Sequence, residues 1–113
     1  MNKYKTLLEG FTAFHHPIHA EQWADLGCGS GVFTEVLANV LPAKSNIVAI
    51  DSKTQYLPHA MGNDVAVRFQ KNNFETEDLN LPALDGIMMA NALHYVSSKE
   101  TLILKLEKYF KDN

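Results

Sequence analysis

Short apolar runs alternate with stretches of helical periodicity along the whole chain. Leu7, Leu8, Phe11 and Phe14 recur at helical spacing, with Asn2 placed as a cap and Pro17 as a stop, which predicts a helix over residues 2–15. Gln22–Leu26 reads as the first strand. Val32, Phe33, Val36, Leu37, Val40 and Leu41 predict a helix from about Gly31 to Leu41, ended by Pro42. A second strand spans Asn46–Ile50, and Ser52 with Gln55 offers a capping box for a short helix that Pro58 disturbs. Val65, Val67 and Phe69 alternate with Ala66, Arg68 and Gln70, a third strand with one exposed face. Gly86–Ala90 is apolar throughout, as a strand buried on both faces should be. A last helix opens on Ser97 and Glu100 and turns Leu102, Ile103, Leu106, Tyr109 and Phe110 inward.

Strands separated by helices imply right-handed crossovers and a mostly parallel sheet. The expected fold is α/β, a Rossmann-like three-layer sandwich. Its strands should lie in the order third, second, first, fourth (3-2-1-4), with a ligand at the carboxyl ends of the first and second. One domain over residues 1–113 suits the length, with its core at 20–112.

The densest chemistry sits between the first strand and the helix after it. Asp25-Leu26-Gly27-Cys28-Gly29-Ser30-Gly31 places three alternating glycines after an acid, and twenty residues past the last of them Asp51 closes the second strand. Glycine lets a backbone turn sharply and come close to a ligand. An acid at the end of the next strand can take two ribose hydroxyls. Dinucleotide loops need G-x-G-x-x-G, but Val32 stands at the sixth position. They also set a pyrophosphate at the helix N-terminus, where the carboxylate of Asp25 would be unwelcome. That acid suits a ligand carrying positive charge and no phosphate.

This run closely resembles motif I of the class I S-adenosylmethionine-dependent methyltransferases, and the resemblance continues over about residues 20–112. Asn72-Asn73-Phe74, Leu81-Pro82 and Asn91-Ala92-Leu93-His94-Tyr95-Val96 are similar to the pattern of the small-molecule branch described as the type 11 methyltransferase domain. The resemblance implies S-adenosyl-L-methionine as cofactor, held by Asp25, Gly27, Cys28, Gly29, Gly31, Asp51, Ser52, Asn73, Phe74 and Asn91. The family usually has Asp where Asn73 stands; an Asn can still accept from the adenine amino group through its carbonyl. Members continue through three more strands, so the chain looks truncated relative to the seven-stranded fold. The apolar strand Gly86–Ala90 would then be an unprotected edge, inviting a homo-oligomer.

Composition narrows the partners. A net charge of −3 gives no basic footprint for nucleic acid, and no apolar run nears the roughly 20 residues of a membrane span. One cysteine suits a reducing compartment, and the expected location is cytoplasmic. The acidic charge favours a small-molecule methyl acceptor, and the resemblance implies the same, since Asn91 is not followed by the Pro-Pro-aromatic run typical of the family's nucleic-acid and glutamine amino-methylating members. Cys28 lacks a base partner and reads as a packing residue, and His94 as packed or lining the substrate. His15, His16 and His19 crowd Pro17, so no metal site is expected. The catalytic base, if the acceptor needs one, is not written in the sequence. Two other classes compete with an active methyltransferase: a cofactor-binding module without turnover, and a nicotinamide binder.

Overall fold

The computed structural model describes Leu7–Leu8, residues 19–90 and residues 98–112. Six strands make one sheet: β1 (Leu7–Leu8), β2 (Gln22–Leu26), β3 (Asn46–Asp51), β4 (Ala60–Met61), β5 (Val65–Lys71) and β6 (Gly86–Met88). They lie in the order β1-β6-β2-β3-β5-β4. The inner run β5-β3-β2-β6 is the expected 3-2-1-4 order, parallel throughout. Helix α1 (Val32–Val40) follows β2, and α2 (Lys99–Leu106) follows the segment after β6 and runs into a 3-10 turn at Glu107–Tyr109.

Alternation along the strands sorts the core into two layers. Ala24, Leu26, Val48, Ile50, Ile87 and Met89 pack with Leu102, Leu106 and Phe110 on the α2 side. Trp23, Ile47, Ala49, Val65, Val67 and Met88 pack with Leu37, Ala38 and Leu41 on the α1 side. Met88 and Met89 thus face opposite layers, as an interior parallel strand requires. The indole of Trp23 lies across Gly86, where a Cβ would come within 2.5 Å of the ring. Its Nε1–H donates to Glu21 Oε1 at 2.9 Å.

The structure departs from the sequence expectation in several places. Leu7 and Leu8 are strand rather than helix, paired in parallel with Ile87 and Met88. The rest of the expected 2–15 helix lies outside the described residues. This pairing covers the Ile87–Met88 part of the β6 edge that was expected to stand open. Extended backbone serves β6 because its Ile87 and Met88 would otherwise leave ladder groups unpaired.

Residues 52–59 form no helix. Asp51 Oδ1 accepts the Lys53 amide at 2.9 Å, an Asx-type turn that competes with a helical start. Leu57 then settles against Gly31. The hairpin β4–β5 places β4 antiparallel outside β5, so β5 is not the outermost strand. The cap of α2 is Ser98 rather than Ser97, its hydroxyl accepting the Thr101 amide at 3.3 Å; Ser97 lies outside the described residues.

Helix α1 is rotated from the expected stripe. Thr34, Leu37, Ala38 and Leu41 face inward, while Val32, Phe33 and Val36 are exposed. The spacing of the buried four is i, i+3, i+4, i+7, a regular helical face whose first member is polar. That polar member makes a contact beneath the helix, to Asp25.

Candidate functional site

The first strand of the motif ends on the glycine loop because the loop hangs from its neighbour. Gly27 N–H and Cys28 N–H both donate to the Ile50 carbonyl, at 2.7 and 3.0 Å. Gly31 N–H donates back to the Cys28 carbonyl at 3.0 Å and closes the turn into α1. Gly27, Gly29 and Gly31 all take left-handed φ, at 75°, 53° and 94°. Side chains are strained in that region, so the alternation of glycines is the condition for this loop to exist. At Gly31 space is also short: a Cβ would meet Leu57 Cδ2 at 2.8 Å. At Gly29 the opposite holds, with nothing within 4 Å, and the backbone there lies open to a ligand.

Asp51 joins this loop directly. Its Oδ2 accepts the Gly29 amide at 2.9 Å and its Oδ1 the Lys53 amide. Each carboxylate oxygen has a further lone pair, so the group is fixed in place and still able to accept from a diol. Ser52, next along, is exposed.

Asp25 lies beneath the loop on the α1 side, 1% exposed, with Thr34 Oγ1–H donating to its Oδ2 at 2.5 Å. Among the described residues its other oxygen accepts no hydrogen bond. Burial pushes its carboxyl up to about 6, the Thr34 hydrogen bond pulls it down, and the negative charge of Asp51 adds to the rise. An acid held above its ordinary value is favoured protonated in the fold. That stabilisation is complete below about pH 4 and is lost as pH rises through about 6. Asp25→Asn should remove this dependence and be more stable than the parent at pH 7, by up to about 3 kcal/mol. Urea unfolding from pH 4 to 8 checks it; parallel curves for the two proteins would contradict the assignment.

Cys28 is buried in the loop, and burial first, then Asp25 and Asp51, push its thiol up to about 12. It therefore stays a thiol at neutral pH, matching its reading as a packing residue.

The loop after β5 is held by a local turn. Asn73 Oδ1 accepts the Glu75 and Thr76 amides at 3.0 and 3.3 Å. The carbonyl expected to meet adenine is thus engaged in a local turn. Glu77 Oε1 closes the same turn, accepting from Asn73 N and Asn72 Nδ2, contacts that hold its carboxyl below its ordinary range. Phe74 is half-buried and packs against the α2-side core. Lys105 on α2 donates to the Phe74 and Glu77 carbonyls and ties the turn to the helix. Asn91 and His94 lie outside the described residues.

The structure therefore gathers Asp25, Gly27, Cys28, Gly29, Gly31 and Asp51 at the carboxyl ends of β2 and β3. Asn73 and Phe74 occupy the neighbouring loop. Sequence reasoning missed Thr34, whose signal was a lone hydroxyl at the head of an otherwise apolar helical face, and Leu57, which gave no signal.

A family model described as "Methyltransferase domain" matches residues 24–112, which is most of the chain. The chain belongs to that family, as a class I methyltransferase domain. The matched segment starts one residue before Asp25 and takes in α1, β3 to β6 and the helix after β6. No curated protein and no solved structure matches the chain. Among the described residues of this methyltransferase domain, no helix is long and apolar enough to cross a membrane.

Proposed function

We propose that this domain binds S-adenosyl-L-methionine across Gly27–Gly31 and Asp51 and transfers its methyl group to a small-molecule acceptor. The observation that carries the reading is the Asp51 carboxylate, bonded to the amide of Gly29, around which no atom would crowd a Cβ. Two fixed acceptor oxygens beside a loop that tolerates close approach suit a ribose. Asp25, with one oxygen still able to accept, suits an ammonium group nearby.

The cofactor, once bound, supplies a methyl already activated on a sulfonium. The chain's residues therefore have to bind and align. Alignment of a nucleophile with the reacting bond is worth several kcal/mol, at best about 7–11. Asp51 fixes the sugar, and the loop backbone lets the ligand approach Gly29. The protonated Cys28 thiol takes no nucleophilic part.

The net charge of −3 and the absence of a Pro-Pro-aromatic run after Asn91 favour a small acceptor over nucleic acid or protein amide groups. A nicotinamide cofactor fits less well. The sixth loop position is Val32, and the buried acid beneath the loop would face a pyrophosphate.

Calorimetric titration with S-adenosylmethionine, S-adenosylhomocysteine and NAD tests the reading. The two sulfur ligands should bind and NAD should not; the reverse order would overturn it. A methyl-release assay over a panel of acceptors then separates an enzyme from a binding module without turnover.

A further inference from the structure

Thr34 is the third residue of α1 and is fully buried, yet its hydroxyl bonds across to β2. A buried helical threonine commonly returns its hydroxyl to the carbonyl four residues earlier. Here the single proton of Oγ1 goes to Asp25 Oδ2 at 2.5 Å, the short end of the range for a hydroxyl on a carboxylate. Among the described residues that contact is the only hydrogen bond of the Asp25 side chain, so it sets which carboxylate oxygen is engaged and which is left to accept.

We propose that Thr34 is a positioning residue: its hydroxyl orients the Asp25 carboxylate, favours its charged form, and so sets the pH range over which a cationic ligand is held at the glycine loop. The inference rests on the cofactor reading above for the ligand, and on geometry alone for the pair.

The electrostatic setting makes the hydroxyl matter. From β3, Asp51 opposes the charge on Asp25; from the loop, Cys28 is a neutral thiol; from α1, the facing group is Thr34 itself. Burial also disfavours the charge. Of the described groups that act on Asp25, only the Thr34 hydroxyl favours ionisation, because a donor stabilises the charged acceptor over the neutral one.

The test compares the parent with Thr34→Val, Thr34→Ser and Thr34→Ala. Carbon-13 NMR of the Asp25 carboxyl gives its titration midpoint in the free protein, and calorimetry with S-adenosylhomocysteine gives affinity from pH 5.5 to 9. Thr34→Val should raise the midpoint by about one unit, and Thr34→Ser should restore it. At pH 6 the share of ionised Asp25 should then make Thr34→Val bind about fivefold more weakly than the parent, a pH-dependent gap that closes by pH 9 and leaves there only the loss from orientation. Thr34→Ala gives the same readout should valine disturb the helix. Equal midpoints in parent, valine and alanine variants overturn the proposal. A shifted midpoint with no binding of the ligand to the parent at any pH would leave the Thr34–Asp25 coupling standing and refute the cofactor reading instead.

Discussion

Asp51→Ala is expected to weaken S-adenosylhomocysteine binding by about 1.5–3 kcal/mol, a loss of about 10- to 150-fold. The carboxylate is charged and fixed by two backbone amides, those of Gly29 and Lys53. Hydrogen bonds to a charged group are worth about twice those between neutral ones. Alanine removes the acceptors for the ribose and frees the Gly29 amide at the same time. Asp51→Asn keeps one carbonyl acceptor and should fall between. Calorimetry at pH 8, where Asp25 is ionised, keeps the two acids from being confused. An alanine variant that binds as tightly as the parent would place the sugar elsewhere.

Gly62→Ala is expected to cost about 2–4 kcal/mol of stability. Gly62 turns the hairpin between β4 and β5 with φ of 59°, and a Cβ there would lie 2.5 Å from the Ala38 carbonyl oxygen. Both the backbone conformation and the space oppose a side chain, and the obstacle is helix backbone that cannot rotate away. Gly29→Ala provides the contrast. Its φ is also positive, at 53°, but nothing lies within 4 Å, so only the conformational cost of about 1–2 kcal/mol remains. Urea denaturation of both variants checks the difference; equal losses would mean that the hairpin does not press on α1.

The inner sheet order and the two-layer core were legible because the strands carry their burial in their own periodicity. Gly86–Ala90 is apolar at every position, and Val65–Gln70 alternates. The glycine loop was legible because few residues other than glycine adopt its backbone, and Asp51 because it falls at the end of an apolar run. What escaped the sequence depends on partners far along the chain. Val32, Phe33 and Val36 are as apolar as Leu37, yet they are exposed on the face opposite the one that carries the Thr34–Asp25 bond and the packed Leu37, Ala38 and Leu41. Leu7 and Leu8 fit a helical stripe, but the ladder groups of β6 draw them into the sheet. The turn after β5 also left no mark in the sequence: the Glu75 and Thr76 amides close at hand donate to the Asn73 carbonyl. Local hydrogen bonds of this kind leave no periodicity to read.

Trp23 is the chain's one tryptophan, and its ring lies on Gly86 where β2 meets β6. It is therefore a built-in optical probe of that junction, needing no label. The ring sits four residues before Gly27, about 13 Å along the strand. Its emission should change when the sheet comes apart, whereas a ligand arriving at the loop acts on it only at a distance. Unfolding and loading of the site can thus be watched as separate events in one sample.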